Sequence, residues 1–251
     1  MWIEQSVEKL RQMKLHGMAD ALVRQSPQAN ELSFEERLAF LVDSEWSARE
    51  NRRLTRLMKE AKLKISQACL EDIDYTHPRG LDKSLMRSFL SGNWLYARHN
   101  ILITGPTGVG KSFIACAFGN FACRQGKSVR YVRHSRLTTD LAMARGDGTF
   151  PQLITKLAKI DVLILDDFGL SALTPGESAN FMELIDDRSR AITIITSQLP
   201  TENWHTTMDD PTIADAVLDR LIHNAYKIKM VGESMRKIRG FTPAESAETH
   251  D

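Results

Sequence analysis

The 251-residue sequence predicts an α/β protein in which a small all-helical domain precedes a parallel sheet flanked by helices. Three observations support this fold class. A phosphate-binding motif follows a short apolar, β-branched run at residues 100–104. Short apolar runs then alternate with stretches of helical period through residues 96–240. Residues 1–75, in contrast, show helical spacing of their apolar side chains and no strand-like alternation.

The helical domain, residues 1–75, is interpreted as the part that binds DNA or a protein partner. Ser33 and Glu36 form a capping-box pattern, which predicts the start of a helix that continues to Ala61. Within this domain, residues 49–64 contain seven basic residues and two acidic ones. Such a run is either a solvated helix face or a surface that contacts the phosphate backbone of DNA. The candidate DNA contacts are Arg49, Arg52, Arg53, Arg56 and Lys59.

Residues 76–95 are interpreted as a linker, because His77-Pro78-Arg79-Gly80 signals a turn. The second domain, residues 96–240, has strands separated by helices, which predicts a parallel sheet covered on both faces. The expected strands are 100–104, 128–132, 160–165, 191–196 and 226–231, and the expected helices are 113–124, 135–145, 150–158, 175–188 and 212–223. The polar residues 241–251 are expected to be disordered.

The phosphate-binding motif reads Gly-Pro-Thr-Gly-Val-Gly-Lys-Ser over residues 105–112 and fits G-x-x-x-x-G-K-[ST] at every fixed position. Its glycines let successive backbone N–H groups point at phosphate oxygens. Lys111 supplies a charge for the β- and γ-phosphates, and the Ser112 hydroxyl can ligate Mg²⁺. The motif therefore predicts ATP and Mg²⁺ as cofactors. The predicted nucleotide-binding residues are Gly105, Pro106, Thr107, Gly108, Val109, Gly110, Lys111, Ser112 and Phe113.

A P-loop site needs a second metal ligand, and the apolar strand at 160–165 ends in two carboxylates. Asp166 is expected to hold Mg²⁺ together with Ser112, largely through water. Asp167 is expected to orient and deprotonate the attacking water. The alternative is that both acidic residues simply end the strand.

Further polar residues follow later elements of the second domain. Gln198 is the first choice, and Ser197 the second, for a side chain that contacts the γ-phosphate or the water; a simple turn before Pro200 is the alternative. Arg220 and Arg236 could each sense phosphate or form a surface salt bridge.

The overall composition sets limits on partners and compartment. The net charge of +1 means that affinity for nucleic acid must come from local basic patches. The three cysteines lack the spacing of metal ligands and are expected to be buried thiols in a reducing cytoplasm. No apolar run reaches the roughly 18 residues of a membrane span, and no signal peptide is expected.

Taken together, these residues resemble the IstB family of AAA+ ATPases, the ATP-dependent helper proteins of transposable insertion sequences. The matching strings are Leu15–Ala19, Glu45–Lys64, Gly105–Ser112, Leu163–Gly169, Ile195–Pro200, Ala214–Leu221 and Gly232–Lys237. The second domain is also similar to that of the DnaC-type loaders of replicative helicases.

The resemblance implies a five-stranded sheet in the order 5-1-4-3-2 and an additional helical element at Ser135–Phe150 that lines a DNA channel. Arg133, Arg136 and Arg145 are then candidate phosphate contacts. Arg220 corresponds to an arginine finger that acts on the ATP of the next subunit, and Arg236 to a sensor arginine. The sequence departs from the pattern in two ways. Asp167 stands where Glu is usual, which implies slow hydrolysis, and almost nothing follows residue 240, so the usual helical lid is expected to be missing.

The implied function is that of an ATPase whose bound nucleotide controls assembly on duplex DNA and recruitment of a transposase. Self-association into a ring or helical oligomer is expected. Two other functions stay open at this point. One is a replicative helicase loader, and the other is a P-loop protein that has lost turnover and serves as a DNA-binding scaffold.

Overall fold

The computed structural model describes residues 2–24, 32–235 and 237, so Arg236 and the predicted tail lie outside the described residues. The chain divides into two compact units, residues 1–59 and 60–251. Residues 60–75, which the sequence pattern grouped with the helical domain, belong to the larger unit. Contacts with the helix after the P-loop explain this difference: Asn120 Nδ2 donates to the Ser66 carbonyl at 3.0 Å, and Arg124 pairs with Glu71 at 2.8 Å.

Over residues 2–24 and 32–59 the smaller unit contains the helices α1 (Trp2–Gln12), α2 (His16–Arg24) and most of α3 (Phe34–Ala61), whose last two residues belong to the larger unit. The predicted capping box is confirmed, because the Glu36 N–H donates to Ser33 Oγ at 3.2 Å and the Ser33 N–H to Glu36 Oε2 at 2.7 Å. Gly17 allows α2 and α3 to approach closely: a Cβ at this position would lie 2.6 Å from the Ala48 Cβ.

The larger unit is built on a five-stranded parallel sheet. Its strands are β1 (Asn100–Thr104), β2 (Val129–Arg133), β3 (Val162–Phe168), β4 (Ile192–Ser197) and β5 (Ala225–Lys229). The order across the sheet is β2-β3-β4-β1-β5, which is the predicted order read from the other edge. Because all strands run in the same direction, the loops after β1, β3 and β4 meet at one edge of the sheet.

Helices cover the sheet and separate its strands. They are α4 (Lys83–Ser88), α5 (Asn93–Ala97), α6 (Lys111–Arg124), α7 (His134–Asp147), α8 (Phe150–Ala158), α9 (Pro175–Asp187) and α10 (Pro211–Ile222). Short 3₁₀ turns lie at Phe89–Ser91, Thr201–Asn203 and His205–Thr207. A continuous apolar cluster between the sheet and α7–α10 includes the fully buried Phe168, Phe181 and Trp204. This core holds the carboxyl ends of β3 and β4 in fixed positions.

Three local features differ from the sequence-based expectation. The third strand continues to Phe168 instead of ending at residue 165, with a register irregularity between Leu165 and Phe168. The helix after the P-loop begins at Lys111, two residues before the expected start. Cys116 and Cys123 are buried as expected, whereas Cys69 is half-buried. Among the described residues, no helix is both long enough and apolar enough to cross a membrane.

Candidate nucleotide site and predicted DNA contacts

The P-loop connects the end of β1 to the first residue of α6. Gly105, Gly108 and Gly110 have φ values of 148°, 83° and 105°, which are positive-φ conformations that glycine adopts without strain. A side chain at Gly105 would also collide with the Met230 carbonyl. The loop can therefore place its backbone N–H groups close to a ligand only because these positions are glycine.

The Lys111 ammonium is held inside the loop and is almost completely buried. Its Nζ donates to the carbonyl oxygens of Gly105 and Pro106, both at 2.7 Å. Burial lowers the pKa of Lys111, and the negative charges of Asp167 and Asp166 act in the opposite direction. A cation in this position is suited to phosphate oxygens that enter from the cavity.

Asp166 lies at the carboxyl end of β3 and is fully buried. Its Oδ1 accepts from Ser112 Oγ at 2.8 Å and from Thr196 Oγ1 at 2.6 Å. Its Oδ2 accepts from the Tyr131 hydroxyl and lies 3.4 Å from Lys64 Nζ. Burial by itself would raise the pKa of this carboxyl, but the hydrogen bonds and the Lys64 charge outweigh it and hold the pKa below its usual value.

The Ser112 hydroxyl and the Asp166 carboxylate fit Mg²⁺, which takes oxygen ligands and is usually bound by one or two protein groups together with phosphates. The 2.8 Å contact places the two groups where one ion can reach both. In the described part of the chain, no group of three or more His, Cys, Asp or Glu side chains is arranged to hold a metal ion. Such a group is not needed for Mg²⁺ in a phosphate site, because water and phosphate oxygens complete its coordination.

Asp167 follows directly but faces a different environment. Its backbone is left-handed with φ of 62°, and its N–H donates to Thr196 Oγ1 at 3.1 Å. A left-handed conformation is uncommon for residues other than glycine and occurs more often at functional sites. Here it turns the Asp167 side chain away from the sheet and toward the cavity.

The cavity has a volume of about 670 Å³ and is lined by one side of the P-loop together with residues from the end of the sheet. Gln198 lines it, as the first choice of the sequence prediction requires. Ser197, the second choice, does not line it: its buried hydroxyl donates to the Phe168 carbonyl at 2.8 Å and accepts from the Leu199 N–H at 3.1 Å. The structure therefore places Gln198 at the cavity and gives Ser197 a position inside the fold.

Comparison with known proteins identifies the family. The family model described as IstB-like ATP binding protein matches residues 8–240. The chain belongs to this family.

Two relatives show how closely the family members match. An insertion-sequence ATP-binding protein of Sinorhizobium fredii is 45% identical over 235 residues, covering 92% of this chain and 96% of the relative. The IS1162 ATP-binding protein of Pseudomonas fluorescens is 50% identical over 204 residues, covering 80% of this chain and 88% of the relative. Both relatives are named as ATP-binding proteins of insertion sequences.

Solved structures support the AAA+ P-loop fold. DnaI superposes with a TM-score of 0.56 at 21% identity, covering 65% of this chain and 91% of DnaI. AMPPCP-bound DnaA from Aquifex aeolicus superposes with a TM-score of 0.55 at 17% identity, covering 72% of this chain and 57% of DnaA. At these identities the likeness concerns the fold alone.

The arginine that the family resemblance assigns to a neighbouring subunit is bound within its own chain. Arg220 Nε lies 2.7 Å from Asp186 Oδ1, and Arg220 also donates to the Ala216 carbonyl at 2.8 Å. Arg220 does not line the cavity. Its placement thus matches the salt-bridge alternative within one chain, and the intersubunit role stays a prediction, as does the role of Arg236.

The basic stretch of the smaller unit lies on α3. Arg49 and Arg52 both approach Glu45 Oε1, at 2.7 and 3.5 Å, while Arg53 lies 3.8 Å from Glu50. Each of these three arginine side chains is still about half exposed. The sequence prediction did not give Glu45 a role, although its spacing of four residues from Arg49 was a visible signal.

The three arginines near the additional helical element lie in different surroundings. Arg133 lines the nucleotide cavity. Arg136 is exposed and pairs with Asp140 at 3.0 Å. Arg145 stacks 3.5 Å above the Phe150 ring and is bound by the Asn180 and Glu183 side chains. The structure therefore does not bring these three residues together as one basic surface.

Proposed function

We propose that the protein is a Mg²⁺-dependent ATPase that assembles on duplex DNA in the cytoplasm and recruits or activates the transposase of its insertion sequence. The observation that carries the proposal is the contact of Ser112 with Asp166 at the cavity that Lys111 also lines. A hydroxyl, a carboxylate and a lysine are the groups with which P-loop ATPases hold Mg²⁺ and phosphate. Membership of the family supports the insertion-sequence context.

In the proposed complex, the loop N–H groups and Lys111 Nζ bind the β- and γ-phosphates. Lys111 exchanges two neutral carbonyl acceptors for charged phosphate oxygens, which strengthens its hydrogen bonds. Ser112 and Asp166 hold Mg²⁺, which when bound neutralises charge on the phosphate oxygens.

Hydrolysis requires a water oxygen to attack the γ-phosphorus while the bond to the β–γ bridging oxygen breaks. Asp167 takes the proton of this water, and Gln198 orients the water or contacts the γ-phosphate. Both side chains line the cavity. Because aspartate is one methylene shorter than glutamate, Asp167 reaches less far and turnover is expected to be slow.

Assembly follows from a nucleotide shared by two subunits. Arg220 is proposed to leave Asp186 and act on the ATP of the neighbouring copy, so that bound ATP stabilises the oligomer and hydrolysis weakens it. Arg236 is proposed as a phosphate sensor.

Duplex DNA is proposed to contact the basic residues of α3 and, independently, Arg133, Arg136 and Arg145 of the larger unit. The exposed arginines of α3 and Arg136 can contact phosphates with small side-chain movements. Arg145 is the weakest candidate, since it would first have to leave Asn180 and Glu183. The DNA-binding or partner-binding role of residues 1–75 belongs to the same proposal. The predicted linker, residues 76–95, falls inside the larger unit.

A helicase loader is the runner-up function, and the likeness to DnaI supports only a shared fold at 21% identity. The relatives at 45% and 50% identity are insertion-sequence proteins, which favours transposition. A scaffold without turnover is the remaining alternative.

The test is phosphate release by the full-length protein, with Mg²⁺ or EDTA and with or without duplex DNA. We expect wild-type turnover only with Mg²⁺. Asp167→Asn should retain ATP binding and lose about 10²-fold or more in rate, because a general base typically contributes that much. Asp187→Asn, an exposed acidic residue at the end of α9, is the matched control and should turn over normally. Wild-type protein that binds ATP without releasing phosphate would favour the scaffold, and unchanged turnover in Asp167→Asn would remove the base assignment.

A further inference from the structure

The proposed metal carboxylate is already saturated by groups of its own chain. Asp166 Oδ1 accepts hydrogen bonds from Ser112 and Thr196. Oδ2 accepts one from Tyr131, lies 3.0 Å from the same Ser112 hydroxyl, and faces the Lys64 ammonium at 3.4 Å. A carboxylate has about four lone-pair positions for such contacts. A metal ion, or a water molecule bound to it, can therefore reach the Asp166 oxygens only after at least one of these donors leaves.

Lys64 is the donor that can leave most easily. Thr196 is fully buried on β4, and Tyr131 is half-buried on the edge strand β2, where its backbone pairs with Ile164 of β3. Lys64 lies in the irregular segment after α3, and about one third of its side chain is exposed. Its four-carbon stem can rotate into the cavity, which it lines, without any change in the sheet.

The backbone around Lys64 is held in place, so the movement concerns the side chain. The Ser66 carbonyl, two residues later, accepts from Asn120 Nδ2 on α6 at 3.0 Å. Ala68 is completely buried. The ammonium can thus alternate between Asp166 and the cavity while the segment itself stays against α6.

We propose that Lys64 competes with Mg²⁺ for Asp166: its ammonium neutralises the carboxylate in the nucleotide-free protein and leaves when the Mg²⁺–nucleotide complex binds. This inference rests on the proposed function of the cavity. Its physical basis is that an uncompensated carboxylate inside a protein is strongly unfavourable, so the charge of Asp166 must be balanced in both states. Lys64 provides that balance before binding, and its contact lowers the apparent affinity for Mg²⁺.

The experiment is a Mg²⁺ titration of the binding of a fluorescent, non-hydrolysable ATP analogue to the full-length protein. If Asp166 is accessible to the ion in about 10–30% of molecules, Lys64→Met should lower the Mg²⁺ midpoint by about three- to tenfold. Lys64→Arg keeps the charge and should stay close to wild type. Lys62→Met removes an exposed lysine from the same segment and should leave the midpoint unchanged.

A second measurement separates competition from a merely structural ion pair. In EDTA without nucleotide, Lys64→Met should unfold at a lower temperature than wild type, because Asp166 loses its compensating charge. Saturating Mg²⁺ and analogue should remove most of that difference. A structural ion pair predicts the same loss of thermal stability in both conditions and no shift of the Mg²⁺ midpoint.

Two results would overturn this inference and leave the proposed function intact. One is a normal wild-type titration with an unshifted midpoint in Lys64→Met. The other is a Lys64→Met protein that binds the analogue more weakly by the same factor in EDTA and in Mg²⁺, since Lys64 would then be an ordinary phosphate ligand. Absence of Mg²⁺-dependent binding by the wild-type protein would instead overturn the proposed function, and this inference with it.

Discussion

The nucleotide cavity and helix α3 both present basic side chains, but they hold them in different ways. Lys111 is 6% exposed and donates to two carbonyls at 2.7 Å. Arg52 is about half exposed and lies 3.5 Å from Glu45. A buried cation acts through short, directional hydrogen bonds that salt hardly screens, whereas exposed cations act together through a field that salt weakens. We therefore expect single substitutions to have large effects in the cavity and small, additive effects on α3.

The two units also differ in how far their large apolar side chains are buried. In the larger unit, Phe168, Phe181 and Trp204 belong to one continuous buried cluster. On α3, Phe34 and Trp46 are each 68% exposed. The cavity is thus supported by a dense core that fixes its side chains, whereas α3 leaves large apolar side chains exposed to the solvent.

Arg220 is the largest expected exception to the rule that exposed basic residues have small effects, because it is partly exposed and ion-paired and yet has a large expected effect on the rate. An arginine finger typically contributes about 10³–10⁵ in rate. If Arg220 acts on a neighbouring subunit, Arg220→Ala should still bind ATP but neither hydrolyse it nor form stable assemblies. The measurement is phosphate release with duplex DNA, together with ATP binding.

A mixing experiment decides whether Arg220 acts between subunits. Lys111→Ala should lose ATP binding by about 10²-fold or more, since removal of one partner of a buried charged contact typically costs 2–5 kcal/mol. Lys111→Ala keeps Arg220, and Arg220→Ala keeps the P-loop, so mixtures should regain part of the phosphate release. Flat baseline activity at every mixing ratio would count against a shared site.

A buried histidine in the core beneath the cavity is expected to make the free energy of unfolding depend on pH, and this effect is of intermediate size. His134 is buried against Phe168 and Phe181, and burial lowers its pKa to about 4, with the nearby Glu177 charge acting in the opposite direction. The unfolded chain, with a histidine pKa of about 6.5, binds the proton more readily. The contribution of His134 to the free energy of unfolding is therefore fully present above about pH 6.5 and decreases as the pH falls toward 4. The loss is about 2 kcal/mol at pH 5 and about 3 kcal/mol below pH 4.

This pH dependence is measured as the free energy of unfolding in urea at pH 7.5 and pH 5. In His134→Leu the free energy of unfolding should differ between pH 7.5 and pH 5 by about 2 kcal/mol less than in the wild type, because the titrating group is gone. His223→Leu, which changes an exposed histidine, is the control and should retain the wild-type difference. Equal pH dependence in His134→Leu and wild type would contradict the prediction.

The smallest effect per residue is expected on α3. Changing Arg52, Arg53 and Arg56 to Glu should weaken binding to all duplex sequences alike and lower the log–log salt slope by about one for each lost phosphate contact. ATP binding should not change. Lys156, Lys159 and Arg190 changed to Glu give the same charge difference in the larger unit and serve as the control. An unaltered slope in the α3 variant would return this helix to the solvated-face interpretation.

The P-loop and the two successive carboxylates Asp166 and Asp167 could be predicted from local spacing, and the sheet order from the resemblance of contiguous strings to a known family. The Ser33–Glu36 capping box is equally local and is found as predicted. Features of this kind are encoded by residues a few positions apart, so no knowledge of the packing is needed to find them.

The hydrogen-bond partners of Asp166 could not be predicted from the sequence, because the tertiary structure brings them together. Tyr131, Thr196 and Lys64 lie 35, 30 and 102 residues away in the chain, and they meet only because β2, β3 and β4 are neighbours and the segment after α3 packs on α6. The irregularity at the end of β3 also separates the roles of two adjacent carboxylates, since it buries Asp166 and turns Asp167 to the cavity. The same long-range packing buries Ser197 and leaves Gln198 exposed at the cavity, and strand periodicity alone could not distinguish which of the two lines it.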